Sequence, residues 1–137
     1  MEPFKFLEHT ADIKFQAFGK NIEEAFSNSA LAMFNAMYKE EIKQKRKLEI
    51  SVEGHDLASL LYNFLEELVF YLDSENFFLS EVKKIEIDKK KFKLKATLSG
   101  DNAENYNIGL DIKAITYNEM QVLEKNGEWV TQVVLDV

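Results

Sequence analysis

Apolar and polar positions along this chain repeat at two different periods, and the switches between them mark out its elements. Phe4 and Phe6, then Ile13, Phe15 and Ala17, alternate with polar neighbours. They predict two short strands on either side of the segment Glu8-His9-Thr10-Ala11-Asp12. The period then lengthens. Ile22, Ala25, Phe26, Ser29, Met33, Phe34 and Met37 recur at helical spacing, and Asn21 with Glu24 three residues on has the form of a capping box. Leu48, Ile50 and Val52 return to alternation, and Gly54 ends that strand. Asp56 is placed to cap a second helix with the stripe Leu57, Leu60, Leu61, Phe64, Leu65, Leu68 and Leu72.

The second half is dominated by hairpins. Val82, Ile85 and Ile87, then Phe92, Leu94, Ala96 and Leu98, flank a turn at Asp88-Lys89-Lys90. Lys91, Lys93 and Lys95 fall on the opposite face of the second strand. Gly100 to Gly109 is polar and weakly patterned, and reads as a surface loop. Met120, Val122 and Leu123 lead into Asn126-Gly127, a type I′ hairpin signal, and Trp129, Val130, Val133, Val134 and Leu135 form the return strand. This order predicts an α+β class, with helices on one face of a mostly antiparallel sheet. The last strand is apolar nearly to its end, so the C-terminus is expected to be tied into the sheet. The single proline, Pro3, lies outside every element, and residues 1–137 read as one domain without linker or repeat.

Composition narrows the chemistry. With 137 residues, 46% of them hydrophobic, the chain has the material for one substantial core. The absence of cysteine excludes a disulfide framework, a thiolate nucleophile and a zinc-thiolate site. No stretch approaches the ~20 apolar residues of a membrane span. The start Met1-Glu2-Pro3-Phe4 lacks the marks of a signal peptide, so the cytoplasm is the expected location. The formal net charge of −7 opposes autonomous nucleic-acid binding, which draws on a basic field. It leaves room for docking on a basic partner that itself holds nucleic acid.

Few side chains are candidates for catalysis. The two histidines, His9 and His55, lie in no hydrolase elbow, and no glycine-rich phosphate loop is present. His55, between Gly54 and Asp56, reads as a turn residue. The segment from Glu8 to Asp12 has two readings: a tight turn in which Thr10 or Asp12 bonds its own backbone, or a ligand or proton-transfer site. Asp136 is odd because strands disfavour aspartate. It either points to solvent at a frayed edge or adds its oxygens to the adjacent α-carboxylate of Val137. If Asp12 joined them, two like charges ~4 Å apart would cost roughly 1 kcal/mol in water and ~4 kcal/mol near a protein surface. A hard divalent cation would remove that cost. Spacing alone leaves open whether the two ends meet. Lys113, between apolar neighbours, either snorkels to solvent or faces a phosphate or carboxylate. The basic run Lys43-Gln44-Lys45-Arg46-Lys47 has no interleaved aromatics and reads as a solvated approach to a strand, with an RNA-contact surface as the alternative. Glu66 and Glu67 read as a solvated helix face.

Three of these segments together resemble the archease family. Phe6-Leu7-Glu8-His9-Thr10-Ala11-Asp12-Ile13 is similar to its opening signature. Asp111-Ile112-Lys113-Ala114-Ile115-Thr116-Tyr117, with Glu119-Met120 after it, is similar to the central one, and Val133-Val134-Leu135-Asp136-Val137 to the C-terminal one. The resemblance covers essentially the whole chain. It implies a two-layer fold in which strand-helix-strand-strand modules form a sheet backed by two helices. It further implies an accessory protein, not an enzyme, that acts on the tRNA-splicing RNA ligase joining 3′-phosphate or cyclic-phosphate ends to 5′-hydroxyl ends. Such proteins promote guanylylation of the ligase from GTP and support its repeated turnover. RNA and GTP would then be met only through the ligase. By matching position, the resemblance assigns Asp12, Asp136 and Val137 to a divalent cation, calcium in the first instance, and gives His9 and Lys113 a weaker part in partner or phosphate contact. A chaperone-like role toward another RNA-processing enzyme, such as a tRNA methyltransferase, is the alternative. The chain departs from the family pattern at Asn118, where histidine is usual. Gly100-Asp101 and Asn107 stand where a Gly-Glu pair and a further histidine are frequent.

Overall fold

Segments that alternate pair as strands, and segments with the longer period coil as helices. The structure, a computed structural model, describes residues 2–8 and 12–137. Its order is β1 (Phe4–Leu7), β2 (Ile13–Gly19), α1 (Ile22–Met37), β3 (Arg46–Glu53), α2 (Leu57–Glu75), β4 (Phe77–Asp88), β5 (Lys93–Asn102), β6 (Ala114–Lys125) and β7 (Glu128–Asp136). The α+β class is as the pattern predicts. The expected single sheet is in fact two, both antiparallel: β1-β2-β7-β6 and β3-β5-β4. Connectivity explains the division. The unit β3-α2-β4-β5 pairs within itself and is inserted between α1 and β6. β2 is left to pair with β7 across it.

Capping residues start both helices. The Asn21 Oδ1 accepts from the Glu24 N–H at 2.8 Å, while the Glu24 carboxylate reaches back to the N–H of Lys20, one residue earlier than in the usual box. At α2 the exchange is reciprocal: Asp56 Oδ1 accepts from the Ser59 N–H, and Ser59 Oγ accepts from the N–H groups of His55 and Asp56. The bond from the Ser59 N–H foremost, with the Ser59 hydroxyl adding to it, holds the Asp56 carboxyl below its usual range. The apolar stripes then meet, with the rings of Phe26 and Phe64 stacked at 6.3 Å between α1 and α2. Phe15, Phe26, Phe64, Phe77 and Phe78 are the bulkiest fully buried side chains. α1 lies on β2, β4 and β7, and α2 on β3 and β6, so the helices knit the two sheets into one core.

Two local expectations are corrected. Gly100, Asp101 and Asn102 are the end of β5, not the start of a surface loop. Asp101 is 5% exposed because its polar atoms are satisfied inside: the Tyr106 hydroxyl donates to Asp101 Oδ2 at 2.7 Å, and the Asn102 N–H donates to Oδ1 at 2.8 Å. Phe92 is in the turn after β4, with φ of 54°, and not in the strand. The Asn126-Gly127 turn is as predicted, both residues having positive φ. Among the described residues, no helix is long and apolar enough to cross a membrane.

Candidate functional site

β7 lies between β2 and β6, so Asp136 sits in an interior strand of the sheet and not at a frayed edge. The β2–β7 register pairs Ile13 with Leu135. Continued by one residue, it sets Asp12 opposite Asp136. On the other side Ala114 pairs with Asp136, and the Lys113 N–H donates to the Asp136 carbonyl at 2.8 Å. Segments from the beginning, the last third and the end of the chain therefore meet at one corner. Strand alternation gives the corner its direction. Leu135 and Ile115 are buried in the core, so Asp136 and its partner Ala114 face away from the helices, while Asp12, just before β2, borders a cavity that Glu8, Lys14, Ala36 and Lys39 also line. Asp136 is exposed, while Asp12 and Val137 are half-buried.

Chemically the corner is a set of hard oxygens. Residues directly opposite on antiparallel strands have Cα atoms ~4.5–5.5 Å apart, which lets two carboxylates on one face converge. Among the described residues, no three His, Cys, Asp or Glu side chains gather as a cation site. A cation here would thus draw on Asp12, Asp136 and oxygens outside that side-chain set, the Val137 carboxylate and water. Oxygen donors of this kind suit calcium or magnesium. Lys113 reaches the corner through its backbone, and its side chain is exposed. His9 lies outside the described residues.

Other groups around the corner are invisible to local sequence reading. On the outward face of β2, Lys14 Nζ is 2.9 Å from Glu119 Oε1. Between the pairs Thr116–Val134 and Gln121–Gln132, residues 117 to 120 of β6 stand opposite Val133 alone, a bulge larger than the usual two-against-one kind, in which Glu119 has φ of 57°. The sequence carries one trace of it. Ile115 and Val122 both pair with buried residues on the core face, yet one number is odd and the other even. The alternation must slip between them. At the other side of the bulge, Tyr117 stacks on Tyr62 of α2 with ring centroids 4.3 Å apart and planes within 6°. Desolvation, reinforced by Glu66, pushes the Tyr62 phenol above its ordinary value. Desolvation does the same to Tyr117, with Asp56 and Glu66 adding to it.

Fold and site together define a small α+β domain whose distinctive feature is a carboxylate-bearing corner where β2, β7 and β6 meet. Comparison with known proteins gives that class a family. Residues 4–137 match the archease protein family. The archease of Pyrococcus abyssi is 40% identical over 143 residues, covering 100% of both chains. That of Methanosarcina mazei is 38% identical, covering 98% of this chain and 95% of its own. Among solved structures, Methanobacterium thermoautotrophicum protein 1598 superposes with a TM-score of 0.77 at 36% identity, covering 100% of both chains. The chain belongs to the archease family. A Thermotoga maritima protein described as an archease and possible chaperone shares the fold, with a TM-score of 0.67 at 20% identity and coverage of 97% and 96%.

Proposed function

We propose that this protein activates the tRNA-splicing RNA ligase, promoting guanylylation of the ligase from GTP and its repeated turnover. In this reading it is no catalyst itself. Asp12, Asp136 and the Val137 carboxylate carry a divalent cation, calcium in the first instance, into or beside the ligase active centre. There the cation supplies positive charge for nucleotide phosphates. Lys113 and His9 flank that contact as phosphate or partner groups. The observation that carries the reading is the register: β2, β7 and β6 bring all three family-like segments to one corner. The net charge of −7 supports action through a basic partner over direct capture of RNA.

Ligation assays with RNA, GTP and ligase test the proposal. Repeated turnover is expected only with this protein present, and Asp12→Ala or Asp136→Ala should each cut stimulation at least tenfold while leaving the thermal midpoint near wild type. Undiminished stimulation by both variants would refute the site assignment. A second reading, a chaperone-like modulator of an RNA-processing enzyme such as a tRNA methyltransferase, draws on the description of the Thermotoga maritima structure as a possible chaperone. Co-purification with such an enzyme, together with no effect on ligation, would favour it.

A further inference from the structure

The outer face of the four-stranded sheet holds a charged pair beside the carboxylate corner. Lys14, the second residue of β2, follows Asp12 by two positions, and its register partner, Val134, precedes Asp136 by two. Residues two apart share a face, and diagonal cross-strand neighbours lie ~7–8 Å apart, within reach of a lysine stem. Lys14 is therefore one step from both carboxylates. Its side chain is only 17% exposed, and its Nζ is 2.9 Å from Glu119 Oε1. Glu119 reaches that position through the bulge in β6. Its φ of 57° lies in the left-handed region that glutamate rarely adopts. Its carbonyl accepts from Gln132 Nε2 at 2.8 Å, and Gln132 Oε1 in turn accepts from Gln16 Nε2 at 2.9 Å. The backbone is thus held in an unusual conformation that brings the carboxylate to a half-buried lysine.

We infer that Glu119 is a positioning residue: it engages the Lys14 ammonium and prevents it from neutralising Asp12 and Asp136 in place of a divalent cation. The inference rests on the reading of that corner as a cation site. An ammonium is a compact point charge on a flexible stem, and once released from Glu119 it has the corner carboxylates within one diagonal step on its face. It would then compete with the cation for the same oxygens.

Calorimetric titration of calcium chloride into the full chain tests this. Wild type is expected to bind, and Asp12→Asn and Asp136→Asn to lose binding. No binding by wild type, or unchanged binding by both asparagine variants, overturns the cation corner and this inference together. Where the corner holds, E119Q is expected to bind calcium about tenfold more weakly, ~1.4 kcal/mol. The double variant E119Q/K14M should return to wild-type affinity, and K14M alone should bind at least as tightly as wild type. Glu119→Gly serves as the second variant, because it removes the same carboxylate while suiting the left-handed backbone. Wild-type affinity in both E119Q and Glu119→Gly overturns the inference alone. So does a loss that K14M fails to rescue, since that is the signature of a merely structural role in the bulge.

Discussion

At the scale of single residues, burial here follows hydrogen bonding as much as polarity. Asp101 is among the buried groups because Tyr106, Asn102 and Asn105 donate to its carboxylate. The Tyr106 hydroxyl, while donating to Asp101, accepts from the Lys43 N–H at 2.9 Å and so pins the segment after α1 to the segment after β5. The hydrogen bond from Tyr106, ahead of the others, holds the Asp101 carboxyl below its ordinary value. Desolvation foremost, with the Asp101 charge adding to it, lifts the Tyr106 phenol. The signs differ. A depressed carboxyl contributes stability that is whole above its unfolded value of about 3.9 and lost as pH falls through the lower folded value. A raised phenol contributes stability that is whole below about 10 and lost as pH rises through the higher folded value. Tyr106→Phe should therefore lower the urea midpoint at neutral pH, and its gap from wild type should narrow as pH is taken well below 4. A gap of constant size across that range would show that the hydroxyl–carboxylate bond is not what the substitution removes.

Elements are where the sequence was most readable, and the failures have definite causes. Both helices and the hairpins follow from apolar positions whose neighbours differ in polarity, and Asn21, Asp56 and Asn126-Gly127 mark their ends by local hydrogen bonding or positive φ. The end of β5 was missed because Gly100, Asp101 and Asn102 are polar or small, and what buries them comes from Phe77, Phe78 and Tyr106. Local pattern cannot register partners that distant. Gly100 sits where strands crowd: a Cβ there would land on the carbonyl oxygen of Phe78 and lie 2.9 Å from the Phe77 ring. The obstacle is backbone, which yields less than the tip of a side chain. Gly100→Ala is therefore expected to destabilise by ~3 kcal/mol, the upper end of overpacking costs, as read by urea unfolding. A loss below ~1 kcal/mol would mean that β4 and β5 part easily at this point.

For the whole molecule, the question is how two sheets and two chain ends become one object. One bolt is visible in side chains: Tyr62 of α2, from the inserted unit, stacks on Tyr117 of β6, from the sheet of the chain ends. Stacked aromatic pairs contribute about 1 kcal/mol beyond their burial, so a double-mutant cycle of Tyr62→Ala and Tyr117→Ala should give a coupling of that size. A coupling near zero would show that the stack adds nothing beyond burial to the joint between α2 and β6. The corner itself was half legible. Asp12 stands out in the polar segment between β1 and β2 and Asp136 in an apolar strand, and similarity to a family suggests that they belong together. Only the pairing of β2 with β7, across more than a hundred residues, gives that suggestion a physical basis. The same pairing makes a last prediction. β7 is held by β2 as far as Leu135 and by β6 as far as Asp136, so anything appended after Val137 must leave directly beside the carboxylates. An appended peptide also replaces the α-carboxylate, one of three proposed donors, with a neutral amide. A C-terminal tag should therefore weaken calcium binding and ligase stimulation at least several-fold with the unfolding midpoint unchanged. The same tag at the N-terminus precedes β1, at the sheet's outer edge, and should do neither. Full activity with the C-terminal tag would remove Val137 from the site and leave the two aspartates to carry it.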